Sequence, residues 1–298
     1  MTRPLEDTQI DTARRLTAPD GAVLGYRIWQ PGPPRRVLVL IHGLASNMTR
    51  WSEFVACTTL RDSWDLLRLD LRGNGLSLYR GRVGMTEWCA DLAAILDSEG
   101  YPRAALAGHC LGAHIALEFA ARYPGRTAGL VLIEPTLRPA LAGPMRQIAR
   151  LRPLLGVAVW LIRAVNAAGI HRRRLHPLDL EELDRRTRAA IAAGGTAEAL
   201  LRRYASPWLD LLTTPAGAYL QALIAVTSRP LDQPAVRVPV LALLSTGSTF
   251  SDPEITTDLL AGLPTCRIVR LEARHWIPTE RPEAMRQAIE DWCMQLRA

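Results

Sequence analysis

Five consecutive residues, Gly108-His109-Cys110-Leu111-Gly112, set a thiol between two glycines, each two positions away. A short apolar run, residues 104–107, precedes them, and an amphipathic stretch, residues 115–123, follows. A nucleophile raised on a sharp strand-to-helix turn sits in strained backbone, so its neighbours two residues away must carry almost no side chain. The turn lifts the sulfur above the sheet and places it at a helix N-terminus, where the dipole favours thiolate. A lone buried thiol otherwise packs as a small hydrophobe. The flanking glycines, and the absence of any G-x-S-x-G elsewhere, point instead to a catalytic centre at Cys110.

The elements that must position this turn follow from the rhythm of apolar runs. Strands are expected at residues 23–29, 37–41, 66–70, 104–109, 129–133, 238–244 and 267–271, alternating with helical patterns. That alternation predicts a parallel sheet with crossover helices. Residues 86–98 read as a helix with Thr86 as N-cap and Trp88, Leu92, Ile95 and Leu96 on one face. Residues 283–296 form the closing helix. Between Pro135 and Pro239 the strand rhythm stops. Helical patterns take over at residues 145–162, 179–193, 197–204 and 216–228, broken at Pro177, Gly194-Gly195, Pro207 and Pro215. Residues 1–19 read as a polar arm, and Pro31-Gly32-Pro33-Pro34 as a turn that ends the first strand.

Three more motifs complete the pattern. His42-Gly43 closes the strand at 37–41, with a loop over residues 44–51. Asp70-Leu71-Arg72-Gly73-Asn74-Gly75-Leu76-Ser77 follows the next strand, and Arg274-His275-Trp276-Ile277-Pro278 stands near the C-terminus, trailed by Glu280-Arg281-Pro282-Glu283. With the cysteine turn, these resemble the α/β-hydrolase superfamily in its capped, lid-bearing branch, over about Asp20 to Leu296. The resemblance implies an α/β fold with a doubly wound, mostly parallel sheet flanked by helices. Residues 20–135 and 238–298 would form the core, and 136–237 an inserted helical cap over the site.

The same resemblance implies the roles. Cys110 becomes the nucleophile and His275 the base, with Arg274 where the family commonly has glycine. Asp252 becomes the acid that holds the imidazole tautomer, with Glu134 as the alternative. The backbone N–H groups of Leu44 and Leu111 would form the oxyanion hole. Met48, Trp51 and Trp276 would wall the substrate pocket. Asp70 belongs to a structural turn; His42 and His109 are structural, His114 packs, and His171 and His176 are solvated.

Cysteine in this setting makes a thioester or presents a soft thiolate. The expected activity is hydrolysis or acyl transfer on an ester or related acyl substrate, a small or tailoring metabolite, through a Cys-His-Asp triad. Cysteine-centred members of the superfamily include dienelactone hydrolases, which lack a large cap, and polyhydroxyalkanoate synthases, which are longer. Two alternatives stay open. One is a lyase that eliminates a carboxylate such as acetate from a polyketide-type ester, as fold relatives in spirotetronate tailoring do. The other is a non-catalytic ligand-binding protein on the same fold.

Composition narrows the rest. With 298 residues, 48% of them hydrophobic, the chain can build one large core with an insertion. The net charge of +7 comes from arginine, because there is no lysine. That usage looks like a GC-rich genome's imprint, and no nucleic-acid motif accompanies it, so no nucleic-acid partner is expected. Lacking lysine, the chain can run neither Schiff-base chemistry nor a P-loop. The five cysteines are scattered with no C-x-x-C, which implies free thiols, no metal and a reducing cytoplasm. No cofactor is implied. Residues 1–15 carry no apolar run of a leader, and the apolar stretch at 154–162 is too short to span a bilayer, so no membrane partner is expected. The substrate expected is a small, mainly apolar molecule with an acidic group, since Trp160 and Trp208 stand among arginines in the cap. Oligomeric state is left open.

Overall fold

A computed structural model describes residues 11–196, 202–228, 236–247 and 250–296. Eight strands form one sheet: β1 (Asp11–Thr17), β2 (Val23–Trp29), β3 (Arg36–Ile41), β4 (Trp64–Leu69), β5 (Ala104–His109), β6 (Thr127–Ile133), β7 (Val240–Ser245) and β8 (Cys266–Leu271). Their spatial order is β1-β2-β4-β3-β5-β6-β7-β8. The β1–β2 and β2–β4 pairs are antiparallel, and every pair from β4 to β8 is parallel. This is the expected doubly wound, mostly parallel sheet.

The described helices are α1 (Ser52–Cys57), α2 (Met85–Ser98), α3 (Leu111–Arg122), α4 (Gly143–Arg150), α5 (Arg152–Ala167), α6 (Leu180–Ala192), α7 (Pro207–Thr213), α8 (Ala216–Val226), α9 (Pro253–Ala261), α10 (Ile277–Glu280) and α11 (Pro282–Gln295). Parallel strands covered on both faces read as unbroken apolar runs, and alternate residues serve opposite cores. In β3, Val37, Val39 and Ile41 pack with Trp88 of α2 and Phe119 of α3. Leu38 and Leu40 point the other way, to Trp51, Phe54 of α1 and Trp292 of α11. Strand order reverses direction between β3 and β5. The carboxyl ends of those two strands therefore open the crevice in which such sheets bind ligands. His42-Gly43 ends one and Cys110 the other.

Several expected boundaries shift. Asp11–Thr17, expected in a polar arm, is an edge strand; its alternating half-buried and exposed residues face β2 in an antiparallel ribbon. The helix expected to start at Thr86 is capped by Gly84, which offers no side-chain oxygen. The single helix expected at 145–162 is two, because Pro153 enters at the first turn of α5, where a missing N–H does no harm. The helix α7 was not expected; Ser206 caps it and Pro207 opens it. The pattern at 197–204 falls mostly on residues 197–201, outside the described residues.

Candidate active site

Cys110 stands between β5 and α3 at φ 52°, ψ −112°, a conformation rare for a residue with a side chain. Its glycine neighbours are required by close approach. A Cβ on Gly108 would lie 2.2 Å from the Gly112 carbonyl carbon, and one on Gly112 would lie 2.3 Å from the Ile41 carbonyl oxygen. The turn is thus wedged against the end of β3. There the backbone N–H groups of Leu111 and Leu44 and the Thr136 hydroxyl stand near enough to the thiol to pull its pKa down. The Thr136 hydroxyl is in turn 3.2 Å from His114 Nε2.

Those donors favour the thiolate, but burial outweighs them and pushes the thiol up to about 11. The low-pKa thiolate expected from the helix dipole is therefore absent. Cys110 rests as a protonated thiol.

His275 sits on the loop between β8 and α10, buried, with its own conformation held from outside. The ring N–H at Nε2 of His109 donates to the His275 carbonyl at 3.0 Å, and the two rings lie 5.1 Å apart. Phe250 meets the imidazole edge-on at 4.8 Å. The Glu280 carboxylate accepts from the Arg274 and Trp276 N–H groups at 3.1 and 3.2 Å, which braces both sides of the loop. Burial, reinforced by the Arg50 charge, drives the imidazole down to about 3, so it rests neutral. A neutral imidazole and a neutral thiol lining one cavity suit a base that acts during attack, not before it.

The carboxylate facing this base is Glu134, with Oε2 3.4 Å from His275 Nδ1. Glu134 follows β6 in a left-handed conformation, φ 49°, that turns its side chain across the end of β7. Its other oxygen accepts the Ser245 N–H. Burial raises Glu134 to about 7, against the Ser245 bonds that lower it. Asp252, expected to orient the imidazole from its place after β7, does something else. Its Oδ1 accepts the Glu254 and Ile255 N–H groups at 2.9 and 3.1 Å, capping α9. The carboxylate brought to the histidine is Glu134, the residue held in reserve.

These groups open onto a cavity of about 360 Å³, floored by Cys110, His109 and His275 and roofed by Met145, Leu183 and Tyr219 of the helices inserted between β6 and β7. Leu44 and Trp276 line it. Met48 and Trp51 do not: Asn47 caps the short turn Met48–Trp51, Trp51 is buried in the core, and Met48 is buried beside Asp70. Arg50, between them, faces the cavity instead. It pairs with Asp184 of α6 and bonds the Thr279 hydroxyl at 2.7 Å. Tyr204 donates to the same Asp184 at 2.8 Å. One buried network thus ties the inserted helices to the loop bearing His275. Sequence reasoning missed Arg50, Asp184 and Tyr204, because their meeting joins three segments far apart in the chain.

Asp210 of α7 also lines the cavity; burial raises its carboxyl to about 7, while a bond from the Tyr219 hydroxyl lowers it. Trp160 and Trp208, expected among the groups shaping the pocket, are 67% and 69% exposed and lie outside it. Asp70 takes its expected structural place, accepting the Met48 and Leu76 N–H groups at 2.7 Å each. Among the described residues no cluster of side chains could hold a metal ion.

Residues 32–281 match the model of the family described as Hydrolase_4, serine aminopeptidase, S33. A "Serine hydrolase-like protein" of Danio rerio is 29% identical over 123 residues, 40% of this chain and 36% of that protein. The match spans little over a third of that relative's length. A "Probable lysophospholipase L2" of Haemophilus influenzae is 26% identical over 301 residues, 93% of this chain and 85% of that protein. Among solved structures, a hydrolase from Pseudomonas aeruginosa superposes with a TM-score of 0.69 at 23% identity, covering 95% of this chain and 98% of that one.

Proposed function

We propose, from the premise that the chain belongs to the Hydrolase_4 family (serine aminopeptidase, S33) of α/β-hydrolases, that it hydrolyses an ester-type acyl bond with Cys110 in place of the family's serine. The reading rests on one observation: Cys110, with the Leu44 and Leu111 N–H groups near its sulfur, and His275, backed by Glu134, open onto the same cavity. The helices between β6 and β7 act as the cap that closes this cavity. Residues 136–237 are its domain, and residues 11–135 and 238–296 the core, since β1 belongs to the same sheet.

The geometry supports the following course. A substrate carbonyl enters above Cys110 with its oxygen at the Leu44 and Leu111 N–H groups. His275, its Nδ1 turned to Glu134, has Nε2 free to take the thiol proton as sulfur bonds to the carbonyl carbon. The negative charge gathers on the oxygen held at the two N–H groups, which stabilise it there. Collapse breaks the carbon–oxygen bond, and the departing alcohol takes the proton from His275. Water then attacks the thioester, giving its proton to the same nitrogen, and the carboxylic acid leaves as the sulfur recovers that proton. Glu134 stabilises each imidazolium in turn. The apolar lining from Met145, Leu183 and Tyr219 selects a mainly apolar acyl or alcohol group.

Turnover in ¹⁸O-water is the test. Hydrolysis through a thioester puts one oxygen from water into the released acid and leaves the alcohol skeleton intact. Released acid carrying no label, together with a new alkene, would instead make the reaction an elimination.

A further inference from the structure

Helix α5 is apolar on two faces and has a structural partner for only one. Leu155, Ala158, Val159 and Ile162 turn inward, toward α8. Leu154, Val157, Leu161 and Val165 recur at the helical spacing on the other side, with Trp160 beside them, and all five are exposed; Leu154 and Trp160 each keep 67% of their surface open. A helix apolar all round is ordinarily buried, and a surface patch of this kind marks an interaction site. Leu151 before the helix and Ile170 after it extend the exposure.

The charge around this face says what covers it. From Thr136 through Leu178 the chain has no aspartate or glutamate and eight arginines: Arg138, Arg146, Arg150, Arg152, Arg163, Arg172, Arg173 and Arg174. All but Arg152 are exposed, and among the described residues none of the eight forms an ion pair. A second copy of the chain would bring the same uncompensated charge to a two-fold contact, which opposes self-association through this face. An anionic lipid surface supplies both missing partners, headgroup charge for the arginines and an acyl boundary for Leu154, Val157, Trp160, Leu161 and Val165.

We propose that α5 and its arginine-rich flanks dock the protein on anionic bilayer surfaces. The helix would lie in the interface plane. No helix among the described residues is long and apolar enough to cross a membrane, so the contact is peripheral. Met145 and Ile148 of α4, which leads directly into α5, line the catalytic cavity. Docking therefore sets the cavity wall one helix from the lipid, where apolar esters concentrate.

Flotation of the full chain with vesicles decides the matter. Phosphatidylcholine vesicles containing about 30 mol % phosphatidylglycerol should carry the protein at about 0.05 M salt. Pure phosphatidylcholine, or about 0.5 M salt, should lower the bound fraction about tenfold. The double substitution Trp160→Glu/Leu161→Glu should lower it at least as far, while thermal melting and turnover of a soluble short-chain ester stay unchanged. A second variant, Arg173→Gln/Arg174→Gln, lies outside helical packing and should weaken binding to the anionic vesicles alone. Absence of wild-type flotation, or flotation of both variants at the wild-type level, would overturn the proposal. So would a wild-type dimer that the Trp160/Leu161 variant dissolves into monomers, or salt-sensitive binding to a polyacidic protein without vesicle binding. Those results would assign the face to a second copy or to an acidic protein.

Discussion

Replacing Cys110 by alanine is expected to lower kcat by about ten-thousand-fold or more while leaving the melting temperature within a few degrees of wild type. The loss is large because nucleophile and base act as a unit, so neither works on substrate without the other. Folding is spared because the glycines, not the sulfur, relieve the crowding at this turn. The companion variant carries more information. The thiol rests protonated, with a pKa of about 11 set chiefly by burial, so Cys110 is handled much as a hydroxyl would be. Cys110→Ser should therefore keep activity to within about a hundredfold of wild type. A serine variant as dead as the alanine one would mean that thiol acidity or softness is needed, and the resting-state picture would be wrong. Steady-state kinetics on one soluble ester, with circular dichroism as the folding control, measures both.

Glu134→Gln is expected to lower kcat/KM by about 10²–10⁴-fold, with Asp252→Asn near wild type. Glu134 faces His275 Nδ1, whereas Asp252 spends its carboxylate on a helix cap that asparagine also makes. The pH profile adds a second readout. Glu134 must be ionised to stabilise the imidazolium, and its pKa is raised from 4.5 to about 7 by burial, so activity should fall as pH drops through about 7. Stability should move the other way. A carboxyl whose folded pKa is raised favours the folded state when protonated; that contribution is fully present below about 4.5 and lost as pH rises through about 7. Above that range Glu134→Gln should gain stability over wild type, on the order of 3 kcal/mol from a shift of this size. Denaturant melts at acid and alkaline pH check the sign. A silent Glu134→Gln beside a damaging Asp252→Asn would reverse the assignment.

What could be read from residues alone was the part with local signals. The apolar runs that became β3 to β8, and the glycines around Cys110, are constraints a chain carries within a few residues. The carboxylate was harder, because β6 and β7 are neighbours, Glu134 directly follows β6, and Asp252 follows β7 by seven residues. Only the left-handed turn at Glu134 decides which one reaches the histidine. One local clue was present: an aspartate followed directly by proline is the pairing that caps and opens a helix, and Asp252-Pro253 does that. Met48 and Trp51 misled for a similar reason. A single turn capped by Asn47 rotates them inward and leaves Arg50 at the cavity. The tryptophans Trp160 and Trp208, from which an apolar substrate is inferred, face outward, and composition does not tell an inward from an outward face. The raised thiol pKa was invisible as well, since it follows from burial under the inserted helices and not from the motif.

Acid-quenching the enzyme during turnover of an activated ester, with peptides mapped by mass, looks for a covalent acyl group on Cys110. An acyl mass is expected on the peptide containing Cys110, released by hydroxylamine as a thioester should be, and absent in Cys110→Ala. Full turnover with Cys110 unmodified at every quench time, or the acyl group on another residue, would rule out a thioester at Cys110.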